Sequence, residues 1–281
     1  MPVDQRHCRA VFQKLESELG KITKHSNPEG VHNLRTGTRR VETVLEELVP
    51  QPDKNTRKLL KSLTRLRKKA GKVRDLDVQS ALLRNLKIAR GGREKSQLLR
   101  ALTTDRSKRE KKLAEALDRD AVRDLRERLN RACKEMEIPE GVDPLRVAMD
   151  EFSALGRERS PITQKLLHQY RITGKRARYV IEIARKSPEA SEAIRQLEKM
   201  QDVIGDWHDW LTLTERAESL FGGMKDSSLV AAMRNLTRAK FREGVDAVMR
   251  TRVALSGEKT ESRVAAPKRP VKAAQAETAA A

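Results

Sequence analysis

Two stretches of this chain, some 136 positions apart, repeat one another. Residues 31–48 read VHNLRTGTRRVETVLEEL and residues 167–184 read LHQYRITGKRARYVIEIA. His32 aligns with His168, Arg35 with Arg171, Arg39 with Lys175, Arg40 with Arg176, Val44 with Val180 and Glu46 with Glu182. A second pair follows at an offset of 134: LRKKAGKVRDLDV (66–78) against MQDVIGDWHDWLT (200–212), which share Gly71/Gly205 and Asp75/Asp209. Two motifs in the same order and at nearly the same spacing mean that a whole half was duplicated. The fold must therefore present one arrangement twice, and that arrangement carries a histidine among arginines.

A helical wheel assigns the faces. At about 100° per residue, with His32 at zero, Arg35, Arg39 and Thr36 lie within about 60° of it and Arg40 at roughly 80°. Leu34, Val41, Leu45 and Leu48 gather on the far side, so the first copy is an amphipathic helix with its apolar stripe inward. The second copy repeats this. Arg171, Lys175 and Tyr179 flank His168, while Tyr170, Ala177, Val180, Ile181 and Ala184 form the stripe expected to be buried. A run of charge on one helix is ordinarily only a solvated face. The same His-x-x-Arg-x-x-x-(Arg/Lys)-Arg pattern on the non-core face of both copies points instead to recognition of an anion.

The rest of the chain fits a helical frame. Leu, Ala, Arg, Lys and Glu dominate, which is an all-α composition. The periodicity predicts helices over about 4–20, 31–48, 53–87, one or two across 94–117 and 119–137, then 144–157, 162–185, 189–221 and 226–255. Pro and Gly near 138–144 mark the join, giving a first half of 1–138 and a second of 144–256. On the helix after Asp53, Leu59, Leu63, Leu66, Ala70 and Val73 form the apolar stripe, and Gly71 is a candidate bend. The opposite face carries Arg57, Lys61, Arg65, Lys68 and Lys72, a cationic rail roughly 20 Å long. In the second half Arg195 and Lys199 match Lys61 and Arg65, but Asp202 and Asp206 replace Lys68 and Lys72. Arg234, Arg238 and Arg242 form a further row, which salt bridging explains as well as ligand binding does. Residues 257–281 lose all periodicity and are expected to be disordered.

Charge narrows the partners. The chain holds 60 Lys and Arg against 40 Asp and Glu, a formal net charge of +20, and the tail accounts for only +2 of it. Such a surface steers polyanions toward it. Aromatic residues make up 3 % of the chain, too few for the stacking platforms on which single-strand binders hold bases. Composition therefore favours a polyanion without bases, and nucleic acid, held through its phosphates alone, is the alternative partner. No apolar run approaches the length of a membrane span, and the N-terminal segment lacks the apolar stretch of a secretory signal. Cys8 and Cys133 stand alone without metal-type spacing, which suggests free thiols and a cytoplasmic setting.

The two copies, with the partner motifs GKVRDLDV and GDWHDWL, resemble CHAD domains, whose name stands for conserved histidine α-helical domain. The resemblance extends over about residues 4–255. It implies two four-helix bundles related by a pseudo-twofold axis with a basic cleft between them, and binding of inorganic polyphosphate, in some members on polyphosphate granules. By motif position it places His32, Arg35, Arg39 and Arg40 with His168, Arg171, Lys175 and Arg176 along that cleft. Two positions depart between the copies: His208 stands for Arg74, and Leu211 for Asp77.

No catalytic machinery is legible. Asp75, Asp77 and Asp209 are outnumbered by neighbouring cations, so no metal site is expected of them, and Asp75 is expected to hold basic groups in place by accepting their hydrogen bonds. The Glu-x-Glu-x-Lys signature of the triphosphate tunnel enzymes that often accompany CHAD domains is missing, as are a Gly-rich phosphate loop and a nucleophile beside a base. The sequence thus predicts a binding protein without cofactor or metal.

Overall fold

The computed structural model describes residues 2–22, 27–156, 161–222 and 227–256. The expected disorder of 257–281 concerns residues outside that set. The described residues fold into nine α-helices: α1 (Gln5–Ile22), α2 (Pro28–Leu48), α3 (Lys54–Asn85), α4 (Gly92–Ala114), α5 (Arg119–Glu135), α6 (Pro144–Ala154), α7 (Gln164–Ile181), α8 (Pro188–Phe221) and α9 (Ser228–Ser256). The protein is all-α. Among the described residues no helix is long and apolar enough to cross a membrane.

Local chemistry explains where the helices begin. Asn27, Asp53, Asp118, Asp143, Thr163 and Ser187 each accept a hydrogen bond from a first-turn amide. Each satisfies a donor that the helix itself leaves unpaired. Pro28, Pro144 and Pro188 sit in the first turn, where a missing N–H costs nothing. The ambiguous stretch 94–137 is two helices. A 3₁₀ turn at Glu115–Leu117 ends the first, and Asp118 caps the second.

The apolar stripes meet in three cores. The first gathers Leu15, Leu34, Leu45, Leu59, Leu63 and Leu129 from α1, α2, α3 and α5. The second gathers Phe152, Leu167, Tyr170, Leu197, Trp207 and Val248 from α6, α7, α8 and α9. Each half thus makes a bundle of four helices. The third core belongs to neither half alone. Leu76 and Leu83 at the end of α3 and Leu98 and Leu102 of α4 pack against Trp210, Leu213 and Phe221 of α8 and Leu229 and Met233 of α9. Because α3 and α8 outrun their own bundles, their far ends share this core, and Gln79 donates to the Thr212 hydroxyl across it at 3.2 Å.

Gly71 does not interrupt α3, which runs unbroken through it. Its missing side chain leaves room for Arg35, whose Nε would stand 3.5 Å from an added Cβ. Gly174 serves a tighter approach. A Cβ there would lie 2.6 Å from the Met200 methyl group, so a larger residue would make that flexible side chain shift.

Candidate functional site

α2 and α7, the two copies of the repeated helix, pack against each other, and α3 and α8 flank them. Two ion pairs tie the halves together at this crossing. Arg40 on α2 donates to Glu182 just past α7 (Nε to Oε2, 2.8 Å), and Arg176 on α7 pairs with Glu47 on α2. These two arginines align in the repeat, so the crossing uses the same arginine twice, in opposite directions. Their guanidinium groups are thereby committed to carboxylates, although Arg40 remains near enough to His32 to disfavour its protonation.

Beside the crossing lies a cavity of about 560 Å³. Its lining includes His32, Arg35 and Thr36 of α2, Lys175, Arg178 and Tyr179 of α7, and Gln201, Asp206 and Asp209 of α8. Arg39, Arg74, Asp75, Arg171, His168 and His208 belong to the same group, because their charges or rings act on one another there. His32, Arg35, Arg39, His168, Arg171 and Lys175 are therefore brought together as the repeat suggested.

The lining itself is mixed, Arg35, Lys175 and Arg178 against Glu198, Asp202, Asp206 and Asp209, while Arg35, Arg171 and Lys175 press on one another without a salt bridge among the described residues. Burial and the neighbouring Arg171 and Arg35 lower the Lys175 ammonium to about 7. Burial, then Arg171, His168 and Lys175, lowers His208 to about 3. His32 is lowered by burial and by Arg74, Arg35 and Lys175, and His168 by burial and Arg171. All three imidazoles are neutral at pH 7 and can donate without adding charge. Arg171 is lowered mainly by burial, and Arg39 mainly by burial and then by Arg67.

Asp75 and Asp209 sit within this group, and Asp75 does not do what the sequence suggested. Among the described residues, neither carboxylate accepts a hydrogen bond from a basic side chain. Crowding by protein raises both, against the opposing pull of Arg171, Lys175 and, for Asp75, Arg35, although water still reaches Asp75. The cations stand off from them, so their hydrogen-bonding capacity is unspent. The Nε atoms of Arg35 and Arg171 and the Nδ1 of His208 are buried without a partner among the described residues. Buried polar atoms normally find partners, and Arg176, Arg178 and Trp207 also hold buried nitrogens without one among the described residues. No group of three or more His, Cys, Asp or Glu among the described residues is arranged to hold a metal ion.

The other basic residues named from the sequence lie apart from this group. Arg57, Lys61, Arg65, Lys68 and Lys72 are all exposed along α3. The charges that weigh most on the titrating groups of the cavity are Arg35, Arg74, Arg171 and Lys175 instead. On α8, Arg195 is held by Glu192 (2.5 Å) and Lys199 is exposed. On α9, Arg234 is paired with Glu218 (2.5 Å) and Arg238 is exposed. Of the basic residues named from the sequence, only His32, Arg35 and Lys175 stand in the cavity's lining among the described residues; the nine do not, and neither do Arg39, His168 and Arg171, which belong to the group through their neighbours.

Sequence reasoning passed over Arg74, Arg178 and His208. Arg74 and His208 occupy one aligned position, whose change from Arg to His looked like loss of equivalence rather than membership of the site. In the structure each faces the histidine of its own half: Arg74 acts on His32, and the His208 ring centroid lies 5.1 Å from that of His168. Arg178 is found by its place over the Tyr179 ring, 4.9 Å from the centroid, with Glu198 bound at 2.8 Å. Tyr179, expected to flank His168 on the polar face, is instead buried, with Arg40 5.4 Å from its ring centroid.

Comparison with known proteins agrees with this architecture. No curated protein sequence matches the chain. The crystal structure of the CHAD domain from the plant Ricinus communis superposes with a TM-score of 0.68 at 17 % identity, covering 91 % of this chain and 92 % of that one. PptA from Streptomyces chartreusis superposes with a TM-score of 0.54 at 14 % identity, covering 91 % and 98 %. At such identities the likeness speaks for the fold. The sequence model of the CHAD domain matches residues 6–218, a span that takes in both copies of the motif and every residue that lines the cavity, and the chain belongs to the CHAD domain family.

Proposed function

We propose that this protein binds inorganic polyphosphate in the cavity between the repeats, and that it acts by binding rather than by catalysis. The observation that carries the reading is the pair of unpartnered, buried guanidinium donors on Arg35 and Arg171, gathered with Lys175 and the neutral His208 from the three helices α2, α7 and α8. A phosphate chain offers closely spaced oxyanions and no bases, so it must be recognised by charge and geometry. Arginine supplies a planar fork for two oxygens, lysine a mobile point charge, and neutral histidine one N–H where a further cation would be repelled. The exposed rail on α3 extends the positive field outward and gives a long chain somewhere to continue. A protein with these properties would also concentrate on polyphosphate granules.

The rail would attract duplex nucleic acid too, but a duplex is too wide to enter a cavity of about 560 Å³. Competition between long-chain polyphosphate and duplex DNA of equal charge, at fixed physiological ionic strength, tests the reading. Polyphosphate should win. Equal or tighter duplex binding would make the exposed rail, not the cavity, the site, and the protein a nucleic-acid binder.

A further inference from the structure

A second cavity, of about 520 Å³, opens on the flank of α2 away from His32, with walls from both halves. α1 contributes Ala10 and Val11, the end of α7 and the loop beyond it Ile181 and Ala184, and the start of α8 Ala190 and Ile194. The three alanines add little bulk to the walls, while Gly37 on α2 lets Leu15 of α1 approach to 3.3 Å from where a Cβ would stand. One end is fastened by the N-terminal segment, where the Asp4 amide donates to Ile183 (2.8 Å) and the Arg185 amide to Pro2 (3.1 Å).

The polar groups around this apolar space divide in two. Arg40 and Glu182 satisfy each other. The others are Ser191 and three exposed basic side chains, His7, Lys14 and Lys186. Neither lysine has an ion pair among the described residues, and the sole carboxylate in the lining, Glu182, is already engaged. The cavity also lies against the first turn of α8, a 34-residue helix whose positive end is offset by Glu189 in the same turn.

We propose that this cavity binds a small amphiphilic anion, with its hydrocarbon body between Val11, Ile181 and Ile194 and its charged head at Lys14 and Lys186. The volume suits such a ligand, and apolar walls with a few convergent polar groups are the usual make-up of a small-molecule site. A bare phosphate chain would gain nothing from these walls. A neutral hydrocarbon would gain nothing from the lysines.

Titration calorimetry of the full chain with decanoate, below its micelle concentration, provides the test, with decyl phosphate, decanol and decyltrimethylammonium alongside. Decanoate or decyl phosphate should saturate one site, the tighter of the two naming the head group. Decanol should bind about tenfold more weakly, a gap of ~1.4 kcal/mol, and the cation not at all. Lys14→Gln with Lys186→Gln should weaken the anion about fivefold and leave decanol unchanged, while Ala190→Trp should abolish both by filling the space. A tryptophan at a buried position can also disturb folding, so the exposed lysine pair is the deciding variant. Absence of saturable binding overturns the proposal, as does equal binding of decanoate, decanol and the cation, or an anion affinity indifferent to the loss of both lysines.

Discussion

The two halves share a plan but not a charge. In the first, His32 faces Arg74, and α3 carries Lys61, Arg65, Lys68 and Lys72 toward solvent. In the second, His168 faces His208, beside the buried Trp207, and the aligned surface of α8 reads Arg195, Lys199, Asp202 and Asp206. What stayed constant is what the crossing needs: the histidine, the arginine three residues on, a basic residue four further, the cross-half arginine, and the aspartate of the partner motif. What diverged is the flank. The duplication therefore kept these motif positions alike in the two halves while leaving the surface of α3 basic and the aligned surface of α8 mixed.

The largest test of that comparison removes the centre from both sides. Arg35→Glu should weaken long-chain polyphosphate binding at least a hundredfold even with Arg171 intact, and Arg171→Glu should do the same, because each guanidinium is a partly buried donor whose loss costs several kcal/mol. Equilibrium binding beside circular dichroism checks this. If either variant binds normally, the two halves do not share one ligand.

Exchanging the divergent position comes next. Arg74→His makes the first half resemble the second and should lower affinity about tenfold, the usual scale for one charge-assisted hydrogen bond. His208→Arg makes the second resemble the first. It adds a cation beside Arg171 and Lys175, so it should lower the melting temperature of the free protein and raise the melting shift that polyphosphate produces. A variant with no change in either would show that the position lies outside the ligand's reach.

Lys175 sharpens the comparison through pH. Its folded pKa of about 7 lies below that of an exposed lysine. Between pH 7 and about 10.5 the unfolded chain therefore binds the extra proton, and the free protein gains stability as pH rises across that window. Bound phosphate restores part of the charge, so binding takes up a fraction of a proton. Affinity is full below about 7 and should fall several-fold by pH 9. Lys175→Met should flatten both slopes. Opposite slopes for stability and affinity are the signature to look for, by thermal melts and binding isotherms over pH 6–9.

The smallest effect belongs to the rail. Lys61→Gln with Lys68→Gln should cost only about two- to fourfold in affinity while reducing the slope of log K against log salt by roughly one to two. A loss larger than that of Arg35→Glu would move the site out of the cavity and onto α3.

How much of this was legible beforehand follows from the kind of interaction involved. The helices were, because apolar spacing and capping chemistry are local. Asp53 opens the helix that the periodicity predicted from 53, and the stripe Leu59, Leu63, Leu66, Ala70 and Val73 is buried as the wheel requires. The pairing of His32, Arg35 and Arg39 with His168, Arg171 and Lys175 was legible too, because duplication wrote it twice. Where α7 stops was not: a long amphipathic pattern predicts helix to 185, but the chain leaves it at Ile181, and Ala184 bridges Val3 from the other end of the sequence.

By itself, then, the sequence determined an all-α chain, its duplication, its excess of positive charge and the helix face on which the basic motif sits, since each depends on residues a few positions apart or on composition. Only the tertiary structure decided which cations are free. Arg40 and Arg176 carry the same motif position as each other and looked like ligands, yet the crossing of α2 and α7 gives each a carboxylate from the opposite half. Arg74 and His208, which looked unrelated, meet in one cluster. Whether a charge is spent or available depends on what lies within a few ångströms of it, and at the centre of this protein those neighbours come from more than a hundred residues away.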